Sequence, residues 1–142
     1  MDDKFAGNLA WEQRKLGENI KLMGGATPFK GNPEYWNGDI VWLSSQEIKE
    51  RFVVSGTYKV TEKAVKDNTT KVVSAGTPLI VTRSGILARK FPISIPIIDV
   101  TINQDIKALI YDSDKIKTDF LIAELQKNEG YILKSIVKGG TT

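Results

Sequence analysis

The sequence predicts an α+β fold in which a small, mixed, twisted β-sheet carries a few packed helices. Short apolar segments with period-two alternation indicate strands, and polar segments that begin with a capping residue indicate short helices. The two kinds of segment follow one another in irregular order, which is typical of α+β folds. With 142 residues, of which 41% are apolar and 26% charged, the chain fits one globular domain with one core.

The strand predictions come from short apolar runs bounded by turn residues. They cover residues 39–44, 57–60, 78–81, 87–98 and 106–111. In the first of these strands, Ile40 and Trp42 are predicted to share one face. Residues 78–81 predict a buried strand, whereas Pro92 and Pro96 favour an edge strand or a bend in the next one.

The helix predictions rest on capping residues and on apolar stripes. They cover residues 17–23, 46–52, 62–67 and, with a break near residues 128–130, residues 117–137. Ser45 and Thr61 are the caps predicted for the second and third of these helices. The first helix is predicted to end at the pair Gly24 and Gly25.

Residues 24–45, GGATPFKGNPEYWNGDIVWLSS, are the most informative part of the chain. They contain four glycines, two prolines, two tryptophans and a tyrosine, although most of the segment is predicted to be loop. Loops are usually small and polar, so a long loop with this many rings and stiff residues is predicted to be ordered. Ordered long loops tend to form binding surfaces.

Two absences restrict the chemistry. The chain has neither cysteine nor histidine, which excludes thiolate nucleophiles, zinc–thiolate sites, histidine-containing triads and imidazole metal ligands. The net charge of +3 permits binding to a polyanion without establishing it. Residues 1–15 lack the apolar segment of a secretory signal, and the apolar runs are too short to span a bilayer. The cytoplasm is therefore the expected compartment.

Short motifs along nearly the whole chain resemble, in order and spacing, the target recognition domains in specificity subunits of type I restriction–modification systems. The matching blocks are residues 11–18 (WEQRKLGE), 24–28 (GGATP), 32–40 (NPEYWNGDI), 42–45 (WLSS), 47–48 (EI), 61–64 (TEKA), 76–80 (GTPLI), 83–87 (RSGIL), 103–105 (NQD) and 139–142 (GGTT). Each block is weak by itself, but their order and spacing together are specific.

This resemblance implies one target recognition domain over residues 1–142, which stops where the first spacer helix should begin. Residues 1–9 are expected to form a loose leader. In that family, a full subunit carries two such domains, and each reads one half of a bipartite target in double-stranded DNA. The implied role is non-catalytic. The implied partners are methyltransferase subunits, which use S-adenosylmethionine, and a restriction subunit, which uses ATP and Mg²⁺. The chain itself is expected to hold no cofactor or metal.

The predicted DNA-binding residues carry amide, hydroxyl, aromatic or cationic groups in or beside predicted loops. They are Lys30, Tyr35, Trp36, Ser44, Ser45, Gln46, Thr82, Arg83, Ser84, Arg89, Lys90, Asn103 and Gln104. Lys30 and the helix start at residues 44–46 are suited to phosphate groups, and Gln46 is suited to an adenine edge. Arg83 follows a predicted buried strand, and its guanidinium suits a guanine edge or a phosphate.

Each candidate has a structural alternative. Tyr35 and Trp36 either face DNA or fold inward to hold the loop, and the inward arrangement is favoured for Trp36. Residues 44–46 alternatively form a simple helix cap. Asn103, Gln104 and Asp105 either contact DNA or brace the recognition loops. Arg83 alternatively forms a structural salt bridge. The basic clusters, which are Arg89 with Lys90 and Lys63 with Lys66 and Lys71, either line a DNA groove or form a solvated face.

Three other functions are weaker interpretations of the same residues. Residues 32–35 (NPEY) resemble a DNA methyltransferase motif, but Glu34 replaces its second proline and no glycine-rich turn for S-adenosylmethionine is visible. Asp39 with residues 47–49 (EIK) matches a metal-nuclease pattern, although Lys49 falls inside a predicted helix. The aromatic loop over residues 27–45 alternatively binds a protein, and an interface of that kind would respond little to salt.

Overall fold

The computed structural model describes residues 18–81 and 93–127. Met23–Leu109 form one compact unit, and the described residues 18–22 and 110–127 belong to a second. The described strands are β1 (Lys21–Gly24), β2 (Trp36–Leu43), β3 (Phe52–Val53), β4 (Tyr58–Val60), β5 (Leu79–Val81), β6 (Ile93–Pro96), β7 (Val100–Ile102) and β8 (Ile106–Ile110). The longer helices are α1 (Glu62–Lys66) and α2 (Thr118–Lys127).

The strands form two mixed sheets, with the orders β1-β8-β5-β6-β3 and β4-β2-β7. In the larger sheet, β5 is antiparallel to both β6 and β8, while β3 is parallel to β6. In the smaller sheet, β2 is antiparallel to β4 and parallel to β7. The predicted α+β class with mixed strand pairing is confirmed, and the described strands divide between two sheets.

Strand β2 separates two hydrophobic clusters because its side chains alternate between the two faces of the smaller sheet. Val41 and Leu43 belong to the larger cluster, which also contains residues of β5, β7 and β8 and so joins the two sheets. Trp42 faces the other way and packs with Val60, and Ile40 packs against them. The prediction that Ile40 and Trp42 share a face is confirmed.

Helix α1 begins where the sequence predicts. The Thr61 side-chain oxygen accepts a hydrogen bond from the Ala64 amide at 3.3 Å. The Thr61 hydroxyl also donates to the Glu34 carbonyl oxygen at 2.5 Å, so this cap ties the helix to the turn before β2. Ala64 is fully buried and packs in the Trp42 cluster, which fixes α1 against the smaller sheet.

The first of the two predicted C-terminal helices is confirmed as α2, which buries Leu121, Ile122 and Leu125. Tyr111 and Thr118 share a hydrogen bond of 2.5 Å between their hydroxyl groups near its start. Burial raises the pKa of Tyr111 above its ordinary value. The second predicted helix lies outside the described residues.

The helix predicted over residues 17–23 is wrong in its second half. Residues 18 and 19 are helical, but Lys21–Gly24 form β1 at the edge of the larger sheet. Pairing with a strand from the other end of the chain therefore overrides the local helical preference.

The helix predicted over residues 46–52 is also wrong. Ser45–Glu47 form a single 3-10 turn, and Phe52–Val53 form β3. The Ile95 amide of β6 donates to the Arg51 carbonyl oxygen at 2.6 Å. Long-range hydrogen bonds of this kind commit the backbone to the sheet, although the local sequence favours a helix.

Pro96 distinguishes between the two predictions for its segment. Strand β6 lies between β5 and β3 in the larger sheet, so the edge-strand alternative is wrong for residues 93–96, while residues 87–92 of the predicted strand, with Pro92, lie outside the described residues. Pro96 is the last residue of β6, and the chain bends at residues 97 and 98. The bend alternative therefore holds, because a proline ends the strand where its missing amide is not needed for the ladder.

Candidate nucleic-acid interface

An open polar groove of about 570 Å³ lies on the unit formed by Met23–Leu109. Four parts of this unit line it: the loop after β1, strand β2 with the turn that follows it, the start of β4, and the connection between β7 and β8. Its lining mixes amide, hydroxyl and carboxylate groups with aromatic rings and the ammonium of Lys30. We refer to this site as the polar groove.

Strand direction explains why these parts meet. Strands β2 and β7 are parallel, with Leu43 opposite Ile102, so the residues that follow both strands leave the sheet at the same end. The Asn103 amide links them by donating to the Leu43 carbonyl oxygen at 2.9 Å. Strand β4 is antiparallel to β2, with Tyr58 opposite Trp42, so its first residue reaches the same end.

The loop after β1 is fastened to this end of the sheet by three hydrogen bonds. The Ala26 amide donates to the Ile102 carbonyl oxygen at 2.9 Å. The Trp42 indole Nε1 donates to the Ala26 carbonyl oxygen at 3.0 Å. The Thr27 hydroxyl donates to Oε1 of Gln104 at 2.7 Å. The loop is therefore ordered, as its composition predicts.

Trp36 is an anchor for the same loop. Its indole Nε1 donates to the Phe29 carbonyl oxygen at 3.1 Å, and its ring meets that of Trp42 edge to face at a centroid distance of 5.2 Å. This arrangement agrees with the inward alternative for Trp36. The indole N–H groups of Trp36 and Trp42 both donate to backbone carbonyl oxygens. The parts of these two rings that line the polar groove are therefore apolar.

A bulge in β2 presents Asn37 to the polar groove. Trp36 and Ile40 both pair with Val60, so the residues between them leave the ladder. Asn37 has a φ of 64°, in the left-handed region that asparagine tolerates. A Cβ on Gly38 would lie 2.5 Å from the Val60 carbonyl oxygen, so this close approach requires glycine.

The carboxylate of Glu47 fixes the start of the turn over residues 44–46 by hydrogen bonding to Ser44. Its Oε2 accepts a hydrogen bond from the Ser44 amide at 3.0 Å, and its Oε1 accepts one from the Thr57 amide at 2.8 Å. The helix that would have offered a phosphate site here is replaced by one 3-10 turn, which supplies little dipole. Gln46 is exposed, so its side-chain amide is accessible from solvent.

The connection between β7 and β8 is braced by side chains, as one of the two alternatives predicts. Asn103 is buried, and its Oδ1 accepts a hydrogen bond from the Asp105 amide at 3.0 Å. Gln104 is exposed and fixes Thr27. Asn103 therefore supports the turn from below, while Gln104 lies on the surface of the polar groove.

Tyr35 is not among the residues that line the polar groove. Its hydroxyl donates to Oδ2 of Asp67 at 2.9 Å, and the Lys63 ammonium lies 3.5 Å from the same carboxylate oxygen. The hydrogen bond to Asp67 raises the pKa of Tyr35, because loss of the proton would place two anions side by side. This bond therefore persists below the raised pKa and is lost as the pH rises through it.

The predicted site residues divide into three groups. Seven line the polar groove: Lys30, Trp36, Ser44, Ser45, Gln46, Asn103 and Gln104. Tyr35 is placed beside Asp67 instead. The remaining predictions, which are Thr82, Arg83, Ser84, Arg89 and Lys90, lie outside the described residues.

Five residues of the polar groove are not among the predicted DNA-binding residues: Thr27, Asn37, Trp42, Tyr58 and Asp105. Thr27 and Asn37 lie in the predicted recognition loop, and Asp105 was predicted to brace the loops or contact DNA together with Asn103 and Gln104. The Asn37-Gly38 pair is a turn signal that would have identified the bulge. Nothing local marks Tyr58, because its position follows from the register of β4 on β2. Its ring lies 6.2 Å from that of Trp42, edge to face.

The described residues contain no group of three or more His, Cys, Asp or Glu side chains that could hold a metal ion. None of their helices is long and apolar enough to cross a membrane. What they do contain is a rigid β scaffold whose loops present polar groups in one groove, which is the arrangement of a binding domain.

The family of this binding domain is shown by its sequence. Residues 8–142 match the family described as "Type I restriction modification DNA specificity domain". The chain therefore belongs to that family, and the resemblance carried by its short motifs is confirmed.

Three relatives indicate how much of a longer protein the chain covers. It is 34% identical over 135 residues to the EcoR124I/EcoR124II specificity subunit of a type I restriction enzyme from Escherichia coli, covering 94% of this chain and 33% of that protein. It is 32% identical over 79 residues to the MjaIX specificity subunit from Methanocaldococcus jannaschii, covering 54% of this chain and 18% of that protein. The solved HsdS subunit from Thermoanaerobacter tengcongensis shares the fold, with a TM-score of 0.62 and 17% identity over 84% of this chain and 28% of that one. The chain thus spans a third or less of the length of these proteins.

Proposed function

We propose that the chain recognises a short sequence in double-stranded DNA through the polar groove and has no catalytic activity of its own. Family membership supports the class of ligand. The observation that carries the proposal is the convergence of amide, hydroxyl and cationic side chains from four separate parts of the chain. Contacts of these kinds divide naturally between base edges and phosphates.

The side chains of the polar groove suit specific roles on DNA. The exposed amides of Asn37 and Gln46 match the adjacent donor and acceptor of an adenine edge in the major groove. Lys30 is exposed and suits a phosphate, which fixes register without reading sequence.

The same proposal extends to a larger assembly. Similarity to specificity subunits of type I restriction enzymes supports a role in reading one half of a bipartite target. In that assembly, methyltransferase subunits would use S-adenosylmethionine, and a restriction subunit would use ATP and Mg²⁺. These activities belong to the partners, and the complex would act in the cytoplasm.

Selection of bound duplexes from a random pool tests the proposed function. We expect enrichment of one short motif at moderate salt, and a steep fall in affinity in a further round at higher salt, because each neutralised phosphate releases counterions. Recovery of no motif would contradict the proposal. A partner bound with little dependence on salt would instead indicate a protein-binding surface built on the aromatic loop.

Replacement of single side chains in the polar groove should separate base contacts from phosphate contacts. We expect Gln46→Ala to cost about 1–3 kcal/mol on the enriched duplex and to relax selectivity at one base pair. Lys30→Ala should weaken binding to all sequences and lower the magnitude of the salt slope by about 1. Affinities measured over a set of single-base variants check both expectations.

Lys59→Ala is the matched control for these variants. Lys59 is exposed on β4 but does not line the polar groove. The Lys59→Ala variant should leave the base selectivity of DNA binding unchanged. If Gln46→Ala behaves like Lys59→Ala, then Gln46 is not a reader of the target.

A further inference from the structure

Phe29 is the most exposed large apolar residue among those the structure describes, with 71% of its surface accessible. It lies in the loop that follows β1, directly before Lys30, which lines the polar groove. A ring this exposed adds little to the core, and on a loop beside the polar groove it is accessible to a ligand that binds there.

The backbone at Phe29 is firmly held. Its carbonyl oxygen accepts hydrogen bonds from the Asn32 amide and from the Trp36 indole Nε1, each at 3.1 Å. The first bond closes a tight turn over Lys30 and Gly31. The second attaches this turn to β2 through an indole ring that is itself packed on Trp42. The position from which the Phe29 ring projects is therefore fixed.

The ring is also supported from one side. A Cβ added to Gly31 would lie 2.9 Å from Cζ of Phe29, so the ring lies over the glycine in space that a side chain would occupy. Glycine at this position lets the turn support one side of the ring. The remainder is exposed to solvent, as a preformed apolar contact would be.

This inference rests on the proposed function, because the ligand is taken to be duplex DNA. Base edges in the major groove present hydrogen-bond donors and acceptors, and the C5-methyl of thymine is the one apolar group among them. The polar groove offers partners for the donors and acceptors, and Phe29 beside it offers an apolar surface. We propose that the Phe29 ring contacts the C5-methyl group of a thymine in the target and so reads one A·T pair.

Exchange of thymine for deoxyuridine tests this contact, because the exchange removes the methyl group and keeps the base-pairing edge. Each thymine in both strands of the enriched duplex is replaced in turn, and Kd is measured for the unmodified chain and for Phe29→Ala. At one thymine we expect the unmodified chain to lose about fourfold in affinity, the effect of one buried methyl group. Phe29→Ala should bind the thymine duplex more weakly and should not distinguish thymine from deoxyuridine at that position.

Two further variants act as controls. Val54→Ala removes another exposed apolar side chain that does not line the polar groove, and it should keep the fourfold preference. Phe29→Leu retains an apolar side chain and should keep part of the preference for thymine over deoxyuridine. Because Phe29 and Val54 are both exposed, we expect Phe29→Ala, Phe29→Leu and Val54→Ala to unfold at the same temperature as the unmodified chain.

The outcomes distinguish this inference from the function on which it rests. If no duplex is enriched, the proposed function itself fails. If a duplex is enriched but contains no A·T pair, the contact with a thymine methyl group is contradicted. The same conclusion follows if Phe29→Ala and deoxyuridine have additive effects at every thymine, since groups in contact should be coupled.

Discussion

Replacement of Gly25 by alanine is expected to lower the free energy of unfolding by about 3 kcal/mol. A Cβ at this position would lie 2.1 Å from the Ile102 carbonyl oxygen and 2.2 Å from that of Asn103. Both atoms belong to the backbone, so the clash cannot be relieved by rotating a side chain. The hydrogen bond from the Ala26 amide to Ile102 would also be strained. Urea unfolding followed by circular dichroism measures the change.

Gly24→Ala is the matched control for this substitution. A Cβ on Gly24 would approach the end of the Lys107 side chain, with Nζ at 2.8 Å. That chain is flexible and moves at little cost, so we expect a change within about 0.5 kcal/mol. Equal effects of the two substitutions would mean that Gly25 does not bring the loop against β7.

The second large effect is expected at Trp42, which is 6% exposed and lies in the smaller hydrophobic cluster. Trp42→Ala should cost about 3–5 kcal/mol, as is typical when a large buried ring is removed. Trp42→Phe keeps most of the packing but removes the hydrogen bond to the Ala26 carbonyl oxygen, so it should cost about 1 kcal/mol. Thermal and urea unfolding of the two variants measure how much the indole ring and its N–H group each contribute to the free energy of unfolding.

Trp42→Phe should also weaken DNA binding more than its small effect on stability would suggest, because the loop that carries Lys30 loses one of its attachments. Binding should be measured at a temperature at which both proteins remain folded. If Trp42→Ala costs less than 1 kcal/mol, or if Trp42→Phe binds DNA like the unmodified chain, Trp42 is not an anchor for the recognition loop.

Local patterns in the sequence predicted much of the scaffold. The alternation of Ile40 and Trp42 identified the two faces of β2, and Thr61 identified the start of α1. Both features depend on residues close together in the chain, because strand geometry sets the alternation of side chains and a local hydrogen bond sets the helix start. The helix predicted after Ser45 failed because Phe52–Val53 pair with β6, a strand more than 40 residues further along the chain.

The sequence predicted which residues have side chains suited to DNA, but it did not predict which of them lie close together in the fold. Gln46 and Gln104 were chosen because their chemistry suits base edges, and the structure brings both to one groove. Their proximity depends on the parallel pairing of β2 with β7, which no local signal specifies. For the same reason, Tyr58 was missed although its strand was predicted correctly.

Titration of the isotope-labelled chain with its enriched duplex, followed by NMR, tests the location of the DNA-binding surface most directly. We expect the largest changes at the amides of Ser45, Gln46 and Gln104 and at the indole N–H of Trp42, all of which line the polar groove. A duplex of unrelated sequence should produce smaller and more uniform changes. Changes confined to residues away from this groove, for example to Phe52–Val53, would contradict the account.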